Sequence, residues 1–121
     1  MNLPSLSELS PYYNRTDLLE KVVEQVKKDF NWFNFEITFT GKEESPYQEL
    51  YKQILPLIDE LLNDDYPKLM AMLYRIDLDE EFLNRKLKEA AHADTDEVIT
   101  DLIIKRELQK VIIKEAYRSK N

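Results

Sequence analysis

Glu89 and His92, in the stretch EAAH, have the spacing that comes nearest to metal chemistry in this chain. A Glu-x-x-His pair on a helix sets a carboxylate and an imidazole on one face, as in di-iron carboxylate bundles. Such a centre needs two of these motifs and two further glutamates, and the chain has one motif, so a symmetric dimer would have to supply the second. The simpler reading puts His92 in the last turn of a helix, where a cation complements the helix dipole. That reading is preferred, and no cofactor is expected. His92 is the sole histidine, cysteine is absent and no G-x-S-x-G turn occurs, so nucleophile and base pairs lack their usual parts. A single glycine excludes phosphate-cradling loops. The expectation is a protein that is not an enzyme.

Two features suit binding better. Arg106, Lys110, Lys114 and Arg118 recur every four residues and so follow one ridge of a helix, where they would meet an acidic protein or a phosphate-rich ligand. Cations also collect near helix C-termini as ordinary solvated design, and Glu107 and Glu115 interrupt the field. Nucleic acid is disfavoured as a partner. The second feature is FNFEITF, residues 33–39, in which Phe33, Phe35, Ile37 and Phe39 alternate with polar residues as on a strand. Trp32, Phe35 and Phe39 would anchor an interface if exposed.

A lone strand leaves its N–H and C=O groups without partners, and no second strand is evident. Three arrangements would satisfy it. The segment drapes over helices with its backbone bonded to side chains and water, pairs with the N-terminal arm around Leu9 to Tyr13, or pairs with another chain, including a second copy of this one. Pro11 makes the arm a poor partner.

The 121 residues, 43% hydrophobic and 34% charged, are one domain's worth of globular chain. Net charge is −7, unevenly spread: residues 59–101 hold thirteen acids and five bases, residues 102–121 six bases and two acids. The overall sign repels phosphate backbones at long range. The acid clusters Asp59, Glu60, Asp64, Asp65 and Asp77, Asp79, Glu80, Glu81 lack the alternation and turn glycine of a calcium loop. No run approaches the length of a membrane span and the N-terminus has no basic, apolar leader pattern, so a cytoplasmic protein is expected.

The elements that must position these residues read as helices. Residues 1–13, with Pro4, Pro11 and three serines, suit a mobile or surface-draped arm, and residues 14–121 a single helical domain. A first helix runs from about Thr16 to near Trp32, with Asn14 or Thr16 as cap, and buries Leu19, Val22, Val23, Val26 and Phe30. Gly41 permits a left-handed turn. SPYQ opens a second helix with Ser45 as cap and Pro46 at its first position. That helix is apolar nearly all round, the candidate for the central one, and Pro56 should bend or split it. Asp64 or Asp65 caps a short third helix, in which Met70 and Met72 pack. Asp79 caps a fourth, with Leu78 stapled on Leu83, and Asp94 with Glu97 opens a fifth from about Thr95 to Tyr117. Arg75 and Asp77 flank the turn between the third and fourth helices, where a buried ion pair would fix their crossing.

The stretches LYRIDLDEEFL and LIIKRELQK resemble a set of small helical bacterial proteins with no assigned activity. The resemblance implies a bacterial, cytoplasmic setting and no residue roles. The expected fold is all-α, about five helices in a compact bundle with one extended or β segment near 33–39. The expected function is a non-enzymatic interaction or accessory protein, acting on a protein partner or by self-association as a homodimer through Trp32, Phe35 and Phe39, the basic ridge, or both. The alternative is a small metal- or ligand-binding bundle using Glu89 and His92.

Overall fold

The structure is a computed structural model that describes residues 4–30, 36–42 and 45–118. Five helices pack into a bundle: α1 (Thr16–Asp29), α2 (Pro46–Asp64), α3 (Tyr66–Arg75), α4 (Glu80–Glu89) and α5 (Thr95–Arg118). Two 3-10 turns, Leu6–Glu8 and Ser10–Tyr12, precede them. No strand occurs among the described residues. No helix is long and apolar enough to cross a membrane.

The helix starts follow the local chemistry of their caps. Ser45 Oγ accepts from Gln48 N at 3.3 Å, Asp65 from Lys68 N at 3.2 Å and Asp79 from Phe82 N at 2.8 Å, each satisfying an amide that the helix leaves without a carbonyl. At α5, Glu97 reaches back to Asp94 N at 3.3 Å. The first helix departs from expectation. Neither Asn14 nor Thr16 caps it; Arg15 holds the N-cap position with no side-chain cap bond and instead pairs with Asp17. Trp32, its expected end, lies outside the described residues.

Pro56 neither splits nor ends α2, which runs unbroken from Pro46 to Asp64. Only one backbone bond is lost to the proline, and the apolar residues on either side, Ile54 and Ile58, are both buried. The central helix is α5 rather than α2. It packs on α2 and α1 and also touches α4 and the first 3-10 turn, so Ile99, Leu102, Ile103, Ile104, Leu108 and Val111 are all buried. A width of stripe that suits several neighbours finds them. Residues 4–9 are anchored on the bundle: Leu9 is fully buried, Ser5 and Glu8 close a capping box, and Pro4 O accepts from Gln109 Nε2 of α5.

The corner between α3 and α4 is a complete Schellman turn built without glycine. Asp77 takes φ 65°, Leu78 N donates to Leu73 O at 2.9 Å and Asp77 N to Tyr74 O at 3.1 Å. Leu73 and Leu78 are both buried, as the motif's apolar contact requires.

Candidate functional site

The seam between α1 and α5 gathers most of the predicted cations. The helices run antiparallel, and their polar side chains meet in steps. Lys21 Nζ reaches Glu115 Oε1 at 2.6 Å, Lys114 Nζ reaches Gln25 Oε1 at 2.5 Å and Lys110 Nζ reaches Asp29 Oδ2 at 2.7 Å. On α1 the participants are four residues apart, one row on the side of the helix that faces α5. At the outer end the seam opens into a groove of about 260 Å3 lined by Lys21, Lys28, Lys114 and Arg118 with Glu24 and Glu115. No ion pair engages Lys28 among the described residues, and the Arg118 side chain is 79% exposed, 3.9 Å from Glu115. Lys21 holds the Glu115 carboxyl below its ordinary range, so the groove carries four positive and two negative charges.

The expected four-residue ridge divides. Successive i, i+4 positions drift by about 40° around a helix, so the three steps from Arg106 to Arg118 turn by about 120° and do not stay on one face. Lys110 and Lys114 turn to α1, whereas Arg106 turns to the α3/α4 corner. There its Nε donates to Ile76 O at 2.9 Å and its Nη2 meets Asp77 Oδ2 at 3.0 Å. Arg106 thus supplies a guanidinium that fixes this corner, and its carboxylate partner, Asp77, is 79% exposed rather than buried. Only Arg118 of the four stands fully in solvent.

Deeper in the seam lies Glu107, 0% exposed, and neither of its carboxyl oxygens meets a donor. The group facing it is another acceptor, the Asp29 carboxyl. Burial first, and then Asp29, push the Glu107 pKa up to about 8, against the pull of Lys110 and Arg106. Asp29 moves the opposite way: burial opposes its ionisation, but bonds from Glu107, Lys110 and Gln25 outweigh it and hold its pKa low. One ammonium, Lys110, 2.7 Å from Asp29 and 3.9 Å from Glu107, serves both carboxyls, and in a buried seam such a pair favours keeping a proton on one of them. Glu107 is thus the acid and Asp29 the ion. The spacing does carry a signal: Glu107 stands four residues from Ile103 and Val111 and three from Ile104, inside the apolar stripe of α5, where an acid is out of place.

The described part of the aromatic segment, residues 36–39, drapes over α2. Ile37 is buried and Phe39 half-buried while Glu36, Thr38 and Thr40 are exposed, so the predicted alternation holds over these residues. Its backbone is bound by side chains of α2. Gln53 accepts from Thr38 N at 2.9 Å and donates to Thr38 O at 2.8 Å, an amide standing in for a neighbouring strand. Glu49, 3% exposed, accepts from Thr40 N, Thr40 Oγ1 and Gly41 N at 2.7, 3.1 and 3.1 Å. Burial works against the Glu49 charge, but these donors hold its pKa low. Phe39 packs against the core; Trp32 and Phe35 lie outside the described residues.

A second hollow, about 580 Å3, opens between α2, α4, α5 and the first 3-10 turn. Tyr13, Tyr47 and Tyr51 stack beside it with centroids 4.5 and 5.9 Å apart. Tyr47 donates to Asp101, which also pairs with Lys105 at 2.6 Å, and burial followed by that bond drives the phenol's pKa far up. Sequence reading missed this hollow, although Tyr47 and Tyr51 at i, i+4 were its signal. Glu89 lines it and pairs with Lys86 at 3.2 Å. His92 does not share a helical face with Glu89, because α4 stops at Glu89 and the turn that follows leaves His92 exposed. Asp94, Asp96 and Glu97 bring carboxylate oxygens within 4.8 Å of one another at the start of α5. Acids there complement the helix dipole without a metal.

No family model matches the chain, and neither a curated protein nor a solved structure matches it. The roles of these residues therefore rest on their geometry.

Proposed function

We propose that this chain is a non-enzymatic interaction protein that receives an acidic segment of a partner protein in the groove between α1 and α5. The observation that carries the reading is the groove's charge: Lys21, Lys28, Lys114 and Arg118 against Glu24 and Glu115, in a chain whose net charge is −7. A basic channel in an acidic molecule steers an anionic segment to one place and repels it elsewhere. The bacterial, cytoplasmic setting implied by the resemblance of LYRIDLDEEFL belongs to this proposal. A protein anion is preferred to nucleic acid because the rest of the surface repels a long phosphate chain.

Fluorescence anisotropy with a labelled oligoglutamate peptide tests it. Wild-type protein binds the peptide, binding weakens as salt rises, and the Lys28→Glu, Arg118→Glu double variant binds roughly tenfold more weakly. Absence of peptide binding, or tighter binding of a single-stranded RNA of equal charge, overturns the reading. A second reading is supported by the hollow beside Tyr47 and Tyr51, whose volume suits a small molecule. It keeps Glu89 as a lining residue and needs no metal.

A further inference from the structure

Glu107 is a buried acid that the groove does not use directly, yet it is joined to it. Asp29 accepts from Gln25 Nε2 at 3.0 Å through the same Oδ2 that holds Lys110, and Gln25 Oε1 in turn accepts from Lys114 Nζ at 2.5 Å. Gln25 and Lys114 both line the groove. Lys110 Nζ, 3.9 Å from Glu107 Oε2 and 2.7 Å from Asp29 Oδ2, joins the enclosed carboxyl of Glu107 to Asp29, and from there the bonded relay runs through Gln25 to a groove lysine. We propose that the proton shared by Glu107 and Asp29 regulates the α1/α5 groove, holding Lys114 available to an anionic segment while present and withdrawing it when lost.

The physical sequence is short. The charged groups that reach Glu107 are Asp29 from α1 and Lys110 and Arg106 from its own helix. With Glu107 neutral, Lys110 neutralises Asp29 at 2.7 Å and stands 3.9 Å from Glu107 Oε2. When bulk base takes the proton, two carboxylates face one ammonium inside a buried seam, and like charges at contact repel strongly. Asp29 is driven from Glu107, the Gln25 amide bonded to it moves, and the extra negative charge draws Lys114 inward. The groove loses part of its positive field. Since burial and Asp29 push the Glu107 pKa up to about 8, the change falls at mildly alkaline pH.

This inference rests on the groove as the anion-binding site, and its test separates the two. Carboxyl 13C of Glu107 and side-chain amide 15N of Gln25 are followed by NMR through the titration, alongside oligoglutamate binding. The expected result is that both resonances titrate together near pH 8 and the peptide dissociation constant rises roughly fivefold across that step. Glu107→Gln cannot ionise, and its amide can donate to Asp29 in the proton's place, so Gln25 no longer titrates and binding becomes flat with pH. Should that variant fail to fold, Asp29→Asn serves: its amide donates to an ionised Glu107, so the carboxyl and the change in binding move to lower pH. Titration of Glu107 in the ordinary carboxylate range, or an unchanged pH profile of binding in Glu107→Gln, overturns the proposal. If no peptide binds at any pH the groove reading fails, while a Gln25 resonance that still follows Glu107 preserves the relay.

Discussion

Glu49 and Glu107 are both buried glutamates, yet they hold opposite charge states. Glu49 receives two backbone N–H groups and a hydroxyl, and stays ionised. Glu107 meets no donor and faces a second carboxyl, so it keeps its proton. Both side chains are shielded from solvent, but Glu107 lies much deeper in the protein than Glu49, so burial and the supply of hydrogen-bond donors act in the same direction. The difference should show in pH dependence, with opposite signs. Glu49 has a lowered pKa, so its contribution to stability is present above its ordinary value of 4.5 and is lost as pH falls through the folded value. Glu107 has a raised pKa, so its contribution is complete below 4.5 and is lost as pH rises towards about 8.

The largest effect that would break this comparison is expected at Glu107. Urea unfolding of the wild type should lose stability with a slope of up to about 1.4 kcal/mol per pH unit from this group between its ordinary value and pH 8. Glu107→Gln should flatten that slope and be more stable than wild type at alkaline pH; a wild-type slope retained by the variant would leave Glu107 out of it. Glu49→Ala strands the amides of Thr40 and Gly41 and should cost about 2 kcal/mol, read from the urea midpoint, with faster hydrogen exchange at those two amides. Gly41→Ala sharpens the same region. A Cβ at φ 69° would be strained and would lie 2.8 Å from Thr16 Cγ2, so a loss of about 1 to 2 kcal/mol in thermal unfolding is expected. Arg106→Met removes the donor to Ile76 O and should cost about 1 kcal/mol by the same measurement. Arg118→Ala, exposed at the groove, should leave stability within about 0.5 kcal/mol while weakening the oligoglutamate complex.

Much of the fold is legible because its signals are local. Ser45, Asp65 and Asp79 announce helix starts through side chains that reach three residues on, and the apolar spacing of Leu19, Val22, Val23 and Val26 marks a buried face before any neighbour is known. What depends on docking is not legible. The four cations from Arg106 to Arg118 read as one ridge, but which of them meets α1 and which meets the α3/α4 corner depends on where those elements lie around α5. Pro56 reads as a bend or a split because its local cost is plain, whereas the burial of Ile54 and Ile58 on either side of it in the continuous α2 is tertiary. Asp77 shows the limit from the other side. A left-handed residue is looked for at glycine, and here an aspartate occupies that conformation with Arg106 bonded to it and to the carbonyl before it.

The grip of Gln53 on Thr38 has a consequence for how this protein behaves in crowded solution. Phe-rich alternating stretches are the kind that stack into fibrils when their main-chain edges are left open. Here one amide side chain satisfies both backbone polar groups of Thr38, so an incoming chain finds no ladder rung to extend at that point. A Gln53→Leu substitution, which opens that rung, is expected to be felt first as turbidity on storage.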